Sequence, residues 1–318
     1  MRWMIVAWLA GVMISTATGT EAADRTIAVF TKNTTNPAYE AFRIAADQVG
    51  RAAGVRVVHY VPKQPDNVDE QTAMVEQVLK DRPDAVLFIP VDDVAMIAPV
   101  NKLNDAGIPI VLASNPLPGR FVTYVGANDE EIGYREARYL FDKLGGKGRI
   151  VIVEGTKAAP TNRERLRGYQ RALADYPGIT VLASGSGNYQ QSDAKALMAT
   201  FLAAHAEIDA VLSANDSMAL GVLEALKAGN RTAIVIGING ILPAVKQIEG
   251  GNLLASVDFN MFKIGCAATR AALRHLDREP LPDKVILPAE IIDRTNYRAW
   301  LVPVAERSCP DWSEFVPK

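Results

Sequence analysis

From Thr26 onward, short β-branched runs alternate with amphipathic segments, and nearly every switch between them carries a turn or cap signal. Strands are expected over 26–31, 55–61, 85–89, 109–113, 122–125, 149–153, 180–183, 210–214, 233–238, 254–257 and near 285–287. Helices are expected over 37–53, after the Asp66/Asn67 cap region, and over 96–106, 130–144, 163–176, 192–204, 217–228, 242–249 and 261–276. Apolar strands separated by helices bury both faces only as parallel sheets covered on each side, which makes the chain α/β.

One internal correspondence narrows the architecture. Asp84-Ala85-Val86-Leu87 recurs as Asp209-Ala210-Val211-Leu212, and the strand from Pro109 to Ala113 recurs as Ile234 to Ile238 at the same offset of 125 residues. Two strands sharing one offset point to two similarly wound lobes rather than one long sheet. The helix 261–276 and the strand near 285–287 would overload the second lobe, so the chain is expected to return late to the first. The expected division is 24–127 plus 260–288 for the N-terminal lobe, and 128–259 plus 289–318 for the C-terminal lobe.

The 34 basic and 36 acidic residues of the 318-residue chain nearly cancel, which offers no electrostatic footprint for nucleic acid. Residues 1–23 read as a secretory signal peptide: Arg2, an apolar run from Trp3 to Ile14, then small residues ending at Ala22-Ala23. That run is shorter than the ~20 residues a bilayer span needs. Export agrees with the two cysteines, Cys266 and Cys309, which either close a bridge pinning the C-terminal tail or remain two thiols with Cys266 buried in its helix.

In open parallel sheets, ligands sit beyond the carboxyl ends of the strands. Those positions are rich in amides: Asn33 and Asn36, Ser114-Asn115, Asn128-Asp129, Asn215-Asp216, Asn239, and Asp258-Phe259-Asn260. An amide both donates and accepts, as does a hydroxyl, so the set suits a hydroxyl-rich ligand. Each is equally at home as a helix N-cap. Tyr39, Tyr189 and Phe259 stand where a ring can stack on the C–H face of such a ligand. Arg165 sits among Arg163, Glu164 and Arg167, a pattern that also fits a solvated helix face. His59, His205 and His275 have no partner at metal-ligand spacing, and no nucleophile elbow, zincin or P-loop motif occurs. No cofactor or metal is expected.

These residues resemble the periplasmic sugar-binding proteins of ribose-binding-protein type, the type I solute receptors of ABC importers. The likeness covers nearly all of the chain after the leader. It rests on Asn36-Pro37-Ala38-Tyr39, Arg163-Glu164-Arg165-Leu166-Arg167-Gly168-Tyr169, Asn215-Asp216-Ser217-Met218-Ala219-Leu220-Gly221 and Gly237-Ile238-Asn239-Gly240. The resemblance implies two Rossmann-like lobes with parallel sheets joined by a three-crossover hinge, closing on one sugar or polyol without chemistry. It implies a periplasmic monomer delivering its ligand to a membrane permease, a chemoreceptor being the alternative partner. By position it makes Asn36, Tyr39, Arg165, Tyr189, Asn215 and Asn239 ligand contacts, with the last contact near Asp258 to Asn260; Ser114, Asn115 and Asn128 join them as strand-end residues. Two positions depart from the family pattern. Ser114-Asn115 stands where Asp-Arg is common, and Asn239 stands where Asp is common. Losing those carboxylates leaves Arg165 with fewer acidic partners, so a ligand carrying an acidic group is the alternative to a neutral one. The rival from another class is a secreted carbohydrate-acting enzyme using Asp92, Asp93 or Asp258, which needs two carboxylates roughly 5 to 9.5 Å apart.

Overall fold

The computed structural model describes residues 25–316; the leader expected over 1–23 lies outside the described residues. The first elements are β1 (Thr26–Phe30), α1 (Pro37–Ala52), β2 (Arg56–Tyr60), α2 (Val68–Asp81), β3 (Ala85–Phe88), α3 (Ile97–Asp105), β4 (Ile110–Ala113) and β5 (Thr123–Gly126). A second series follows: α4 (Asp129–Lys143), β6 (Lys147–Glu154), α5 (Pro160–Asp175), β7 (Gly178–Ser186), α6 (Gln191–Ala204), β8 (Ala210–Ser213), α7 (Asp216–Ala228), β9 (Ile234–Ile238), α8 (Leu242–Gly250) and β10 (Ala255–Asp258). The chain ends with α9 (Met261–Leu276), β11 (Lys284–Ile286), β12 (Glu290–Ile292), two 3-10 turns at Tyr297–Trp300 and Val304–Glu306, and α10 (Trp312–Phe315).

Two six-stranded sheets result, ordered β11-β5-β4-β3-β1-β2 and β12-β10-β9-β8-β6-β7. The two orders superpose slot for slot, and the strands sharing the 125-residue offset, β3 with β8 and β4 with β9, hold equivalent places. β3, β4 and β8 are buried along their whole length, which is why they read as unbroken apolar runs rather than alternating ones. All pairings in the first sheet are parallel, while β12 closes the second sheet antiparallel to β10. At three residues β12 is too short to carry a periodic signal, so no strand was expected there.

The chain crosses between lobes after β5, after β10 and between β11 and β12. α9 returns to the N-terminal lobe and packs tightly on α1. A Cβ on Gly265 would lie 2.6 Å from the Phe42 carbonyl oxygen, so only glycine allows this approach.

The tail corrects the expected assignment of 289–318 to the C-terminal lobe. Its first part belongs there: β12 joins the second sheet, and Trp300 donates its indole N–H to Asp258 at 2.7 Å. Beyond Pro303 it lies on the N-terminal lobe, where Gln48 of α1 donates to the Ala305 carbonyl at 3.1 Å. There Cys309 is bonded to Cys266 of α9, with Cα atoms 5.5 Å apart. Arg274 stacks over the Trp312 ring at 5.2 Å. Val304, Trp312 and Phe315 pack on the core there, and the covalent bond adds to that packing.

Replacing Cys309 with Ser, or reducing the native protein, is expected to lower unfolding free energy by up to ~4 kcal/mol, the loop-closure entropy for a ring of this size. Thermal melts of the native, reduced and Cys309→Ser proteins measure it. Three coincident melts would show that the bridge contributes nothing.

Candidate functional site

A narrow polar cleft lies between the lobes, walled by the residues that follow the strands of both sheets. The N-terminal wall carries Asn33, Asn36, Ala38 and Tyr39 after β1, Asp66 after β2, and Ser114 and Asn115 after β4. The C-terminal wall carries Thr161 and Arg165 on α5, Tyr189 after β7, Asn215 after β8, Asn239 after β9 and Phe259 after β10, and Met261 enters from the start of α9.

The amides serve as caps and cleft groups together. Asn36 caps α1 by accepting from the Ala38 N–H at 3.0 Å, and Asn215 caps α7 by accepting from the Met218 N–H at 2.8 Å. Each cap uses the side-chain oxygen and leaves the –NH₂ end for other partners. Asn215 Nδ2 makes one long bond, 3.4 Å to the Tyr189 carbonyl. Asn239 Nδ2 reaches across the cleft to Asn36 Oδ1 at 3.4 Å, so the walls already touch. Thr35 Oγ1 donates to Gln190 Oε1 at 3.3 Å, and Arg163 pairs with Asp93, two further ties between lobes. Ser114 is buried in the left-handed region at φ +59°, and Asn115 donates to the Pro90 carbonyl at 3.1 Å.

Arg165 is 4 % exposed and so not on a solvated face. Its Nε donates to Asp129 at 2.9 Å, its Nη1 donates to the Ala214 carbonyl at 2.6 Å, and its guanidinium lies 5.3 Å from the Phe259 ring centre. Burial opposes the charge most strongly, but Asp129 together with Tyr189 and Tyr169 holds the guanidinium above its usual range, while burial pushes the Asp129 carboxyl up against the pull of Arg165. The pair forms because α4 and α5 cross at glycines. A Cβ on Gly133 would sit 2.3 Å from the Arg165 carbonyl oxygen, and one on Gly168 would sit 2.2 Å from that of Glu130. Arg165, expected to have fewer acidic partners, retains one: Asp129 is its carboxylate.

Tyr189 is backed by Gly155, where a Cβ would lie 2.1 Å from Tyr Cζ, and its hydroxyl meets Thr161 Oγ1 at 3.1 Å. Burial raises the pKa of both Tyr189 and Tyr39, so both rings stay neutral.

Three expected contacts fall elsewhere. Asn128 is exposed and caps α4 by accepting from the Glu131 N–H, because the strand-end turn aims its neighbour Asp129 inward instead. Asp258 accepts from Trp300 and from the Asn260 N–H at 2.6 Å, and Asn260 caps α9; both line a neighbouring groove rather than the cleft. Sequence reasoning gave no ligand role to Thr161, Asp66, Met261 or Lys32. Lys32 is 1 % exposed, 3.6 Å from Asp66, with its ammonium 6.0 Å from the Tyr189 ring centre. A lysine after a strand is ordinarily exposed, so no signal singled it out. Among the described residues no cluster of His, Cys, Asp and Glu could hold a metal, and no helix is long and apolar enough to cross a membrane.

Paired parallel sheets with one cleft between their strand ends define a two-lobed solute receptor. Residues 27–280 match the periplasmic binding protein domain family, and the chain belongs to it. It is 30 % identical over 248 residues to the ribose import binding protein of Bacillus subtilis, covering 78 % of this chain and 80 % of that one. It is 29 % identical over 304 residues to a D-apiose import binding protein of Paraburkholderia graminis, covering 93 % and 95 %. Among solved structures, an ABC transporter periplasmic solute binding protein of Actinobacillus succinogenes with bound D-allose superposes with a TM-score of 0.82. That protein is 26 % identical, with 86 % of this chain and 99 % of that chain covered.

Gly155→Ala forces the Tyr189 ring out of its seat, an overpacking typically worth ~1–3 kcal/mol. The expected result is a folded protein whose sugar affinity falls roughly tenfold, about 1.4 kcal/mol, by titration calorimetry. Undiminished affinity would remove Tyr189 from the ligand wall.

Proposed function

We propose that the protein captures a neutral sugar or polyol between its lobes in the periplasm and delivers it to the permease of an ABC importer. The observation that carries this reading is the charge balance of an amide-lined cleft. Arg165 is neutralised by Asp129 and Lys32 faces Asp66, so the walls present hydrogen-bonding groups with no net charge to be met. An acidic ligand would have to compete with Asp129 for the guanidinium, and a buried pair is costly to break. The sugar ligands named for the relatives above agree with this reading.

The mechanism is a population shift. A ligand touching both walls gains contacts that the open form cannot make, and closure follows from that difference alone. The lobe boundaries near 127/128, 259/260 and 288/289 would act as the hinge strands. Closed, the monomer presents one composite face to the permease. Asn36, Tyr39, Ser114, Asn115, Arg165, Tyr189, Asn215 and Asn239 are the proposed contacts, with Thr161, Phe259 and Asp66 added to them.

The enzyme alternative finds little support in these positions. Asp92 accepts from the Val94 and Ala95 N–H groups, Asp93 pairs with Arg163, and Asp258 is held by Trp300. None of the three lines the cleft, where the lining carboxylate is Asp66.

Calorimetry with matched aldose, alditol and aldonate panels tests the proposal. Aldoses or alditols are expected to bind and be recovered unchanged, with a smaller radius of gyration on binding. Selective aldonate binding would overturn the neutral-ligand reading, and turnover would overturn the receptor.

A further inference from the structure

The cleft amide Asn239 stands on backbone that few residues other than glycine adopt, at φ +129°, followed by Gly240 at +66°. Such a conformation persists only where its surroundings over-determine it. Here they do so through one carboxylate. Asp216, the first residue of α7, is fully buried and does not line the cleft. Its Oδ2 accepts from the Ile241 N–H at 3.0 Å, and its Oδ1 accepts from the Ser256 hydroxyl at 2.7 Å. The Ser256 oxygen in turn accepts from the Gly240 N–H at 3.0 Å. Both amides that follow Asn239 are thus tied, directly or through one hydroxyl, to the same side chain. β9 makes room for it with Gly237, where a Cβ would lie 2.4 Å from Asp216 Oδ1.

We infer that Asp216, acting through Ser256, is a positioning residue that fixes Asn239 in its cleft-facing conformation and couples it to Asn215, the residue immediately before it. This rests on the reading of Asn239 as a ligand contact. The consequence is that the two amides of the C-terminal wall move as one unit: a shift of the α7 N-terminus is carried by the carboxylate to the β9–α8 loop.

Burial pushes the Asp216 carboxyl up to about 7, against the bonds from Ser256 and Ile241. The charged groups facing it are Asp258 of β10, which adds to the push, and Glu136 of α4, itself raised to about 8 by burial. Above pH 7 the ionised carboxylate accepts from both partners. Below it, protonation removes the negative charge that strengthens both bonds, so the clamp loosens as pH falls.

The test uses the full protein with Ser256→Ala, Asp216→Asn and Asn239→Ala, read by hydrogen exchange at the Gly240 and Ile241 amides and by calorimetry with D-ribose, D-allose and xylitol. Ser256→Ala is expected to melt cooperatively, to raise exchange at Gly240 at least tenfold, and to weaken the sugar that binds roughly fivefold, the equivalent of one hydrogen bond. Wild-type affinity should fall from pH 8 to pH 6, and Asp216→Asn should flatten that slope where Glu136→Gln does not. Unchanged exchange in both clamp variants would overturn the inference. Full affinity in Asn239→Ala, with raised exchange in Ser256→Ala, would instead remove Asn239 as a contact and leave the clamp standing.

Discussion

The buried ion pair between Arg165 and Asp129 is the constraint on which the cleft depends. A guanidinium almost wholly withdrawn from water persists only beside a compensating charge, which Asp129 supplies, while the Ala214 carbonyl takes one N–H and the other Nη donors are left for the cleft. The geometry of that pair is set one layer further out, by Gly133 and Gly168, which let α4 and α5 approach until their backbones nearly touch. Helix packing therefore decides the charge state of the wall. With the pair in place the second lobe contributes an oriented fork of donors without net charge, and the first lobe matches it through Lys32 and Asp66.

Closure follows the same logic at larger scale. The lobes already meet through Asn36 and Asn239, Thr35 and Gln190, and Arg163 and Asp93. The exposed contacts Thr35–Gln190 and Arg163–Asp93 each contribute little, and the buried amide pair is long at 3.4 Å, which suits a hinge that must open again. The firmer connections lie behind the cleft, where the disulfide fastens the tail to α9 after its 3-10 turn has engaged the other lobe. A receptor built this way keeps its stability in two packed sheets and its mobility in a few polar contacts between them.

Most of the fold was legible because fully buried parallel strands leave continuous apolar runs, and the caps that start helices are single residues with strong preferences. Asn36, Asn67 and Asn215 all cap as their sequence context suggests. The short antiparallel β12 and the crossing of the tail were not legible, since three residues carry no period and the tail's few apolar residues, Val304, Trp312 and Phe315, are spaced without one. At the site, strand-end amides pointed to the cleft, and Asn36, Asn115, Asn215 and Asn239 do line it. Asn128 and Asp129 show the limit: adjacent residues after the same strand, one exposed and one buried, with only the turn between β5 and α4 deciding which faces in.

The order of residues by itself determined the alternation of strand and helix, the twofold repetition, and the supply of amides at strand ends, because each depends on neighbours along the chain. Which of those amides face the cleft, which carboxylate neutralises Arg165, and how Asp216 reaches the loop of Asn239 depend on groups dozens of residues apart. Only the packing of helices and the crossing of lobes brings such groups within hydrogen-bond distance, so the charge of the cleft was fixed by tertiary structure.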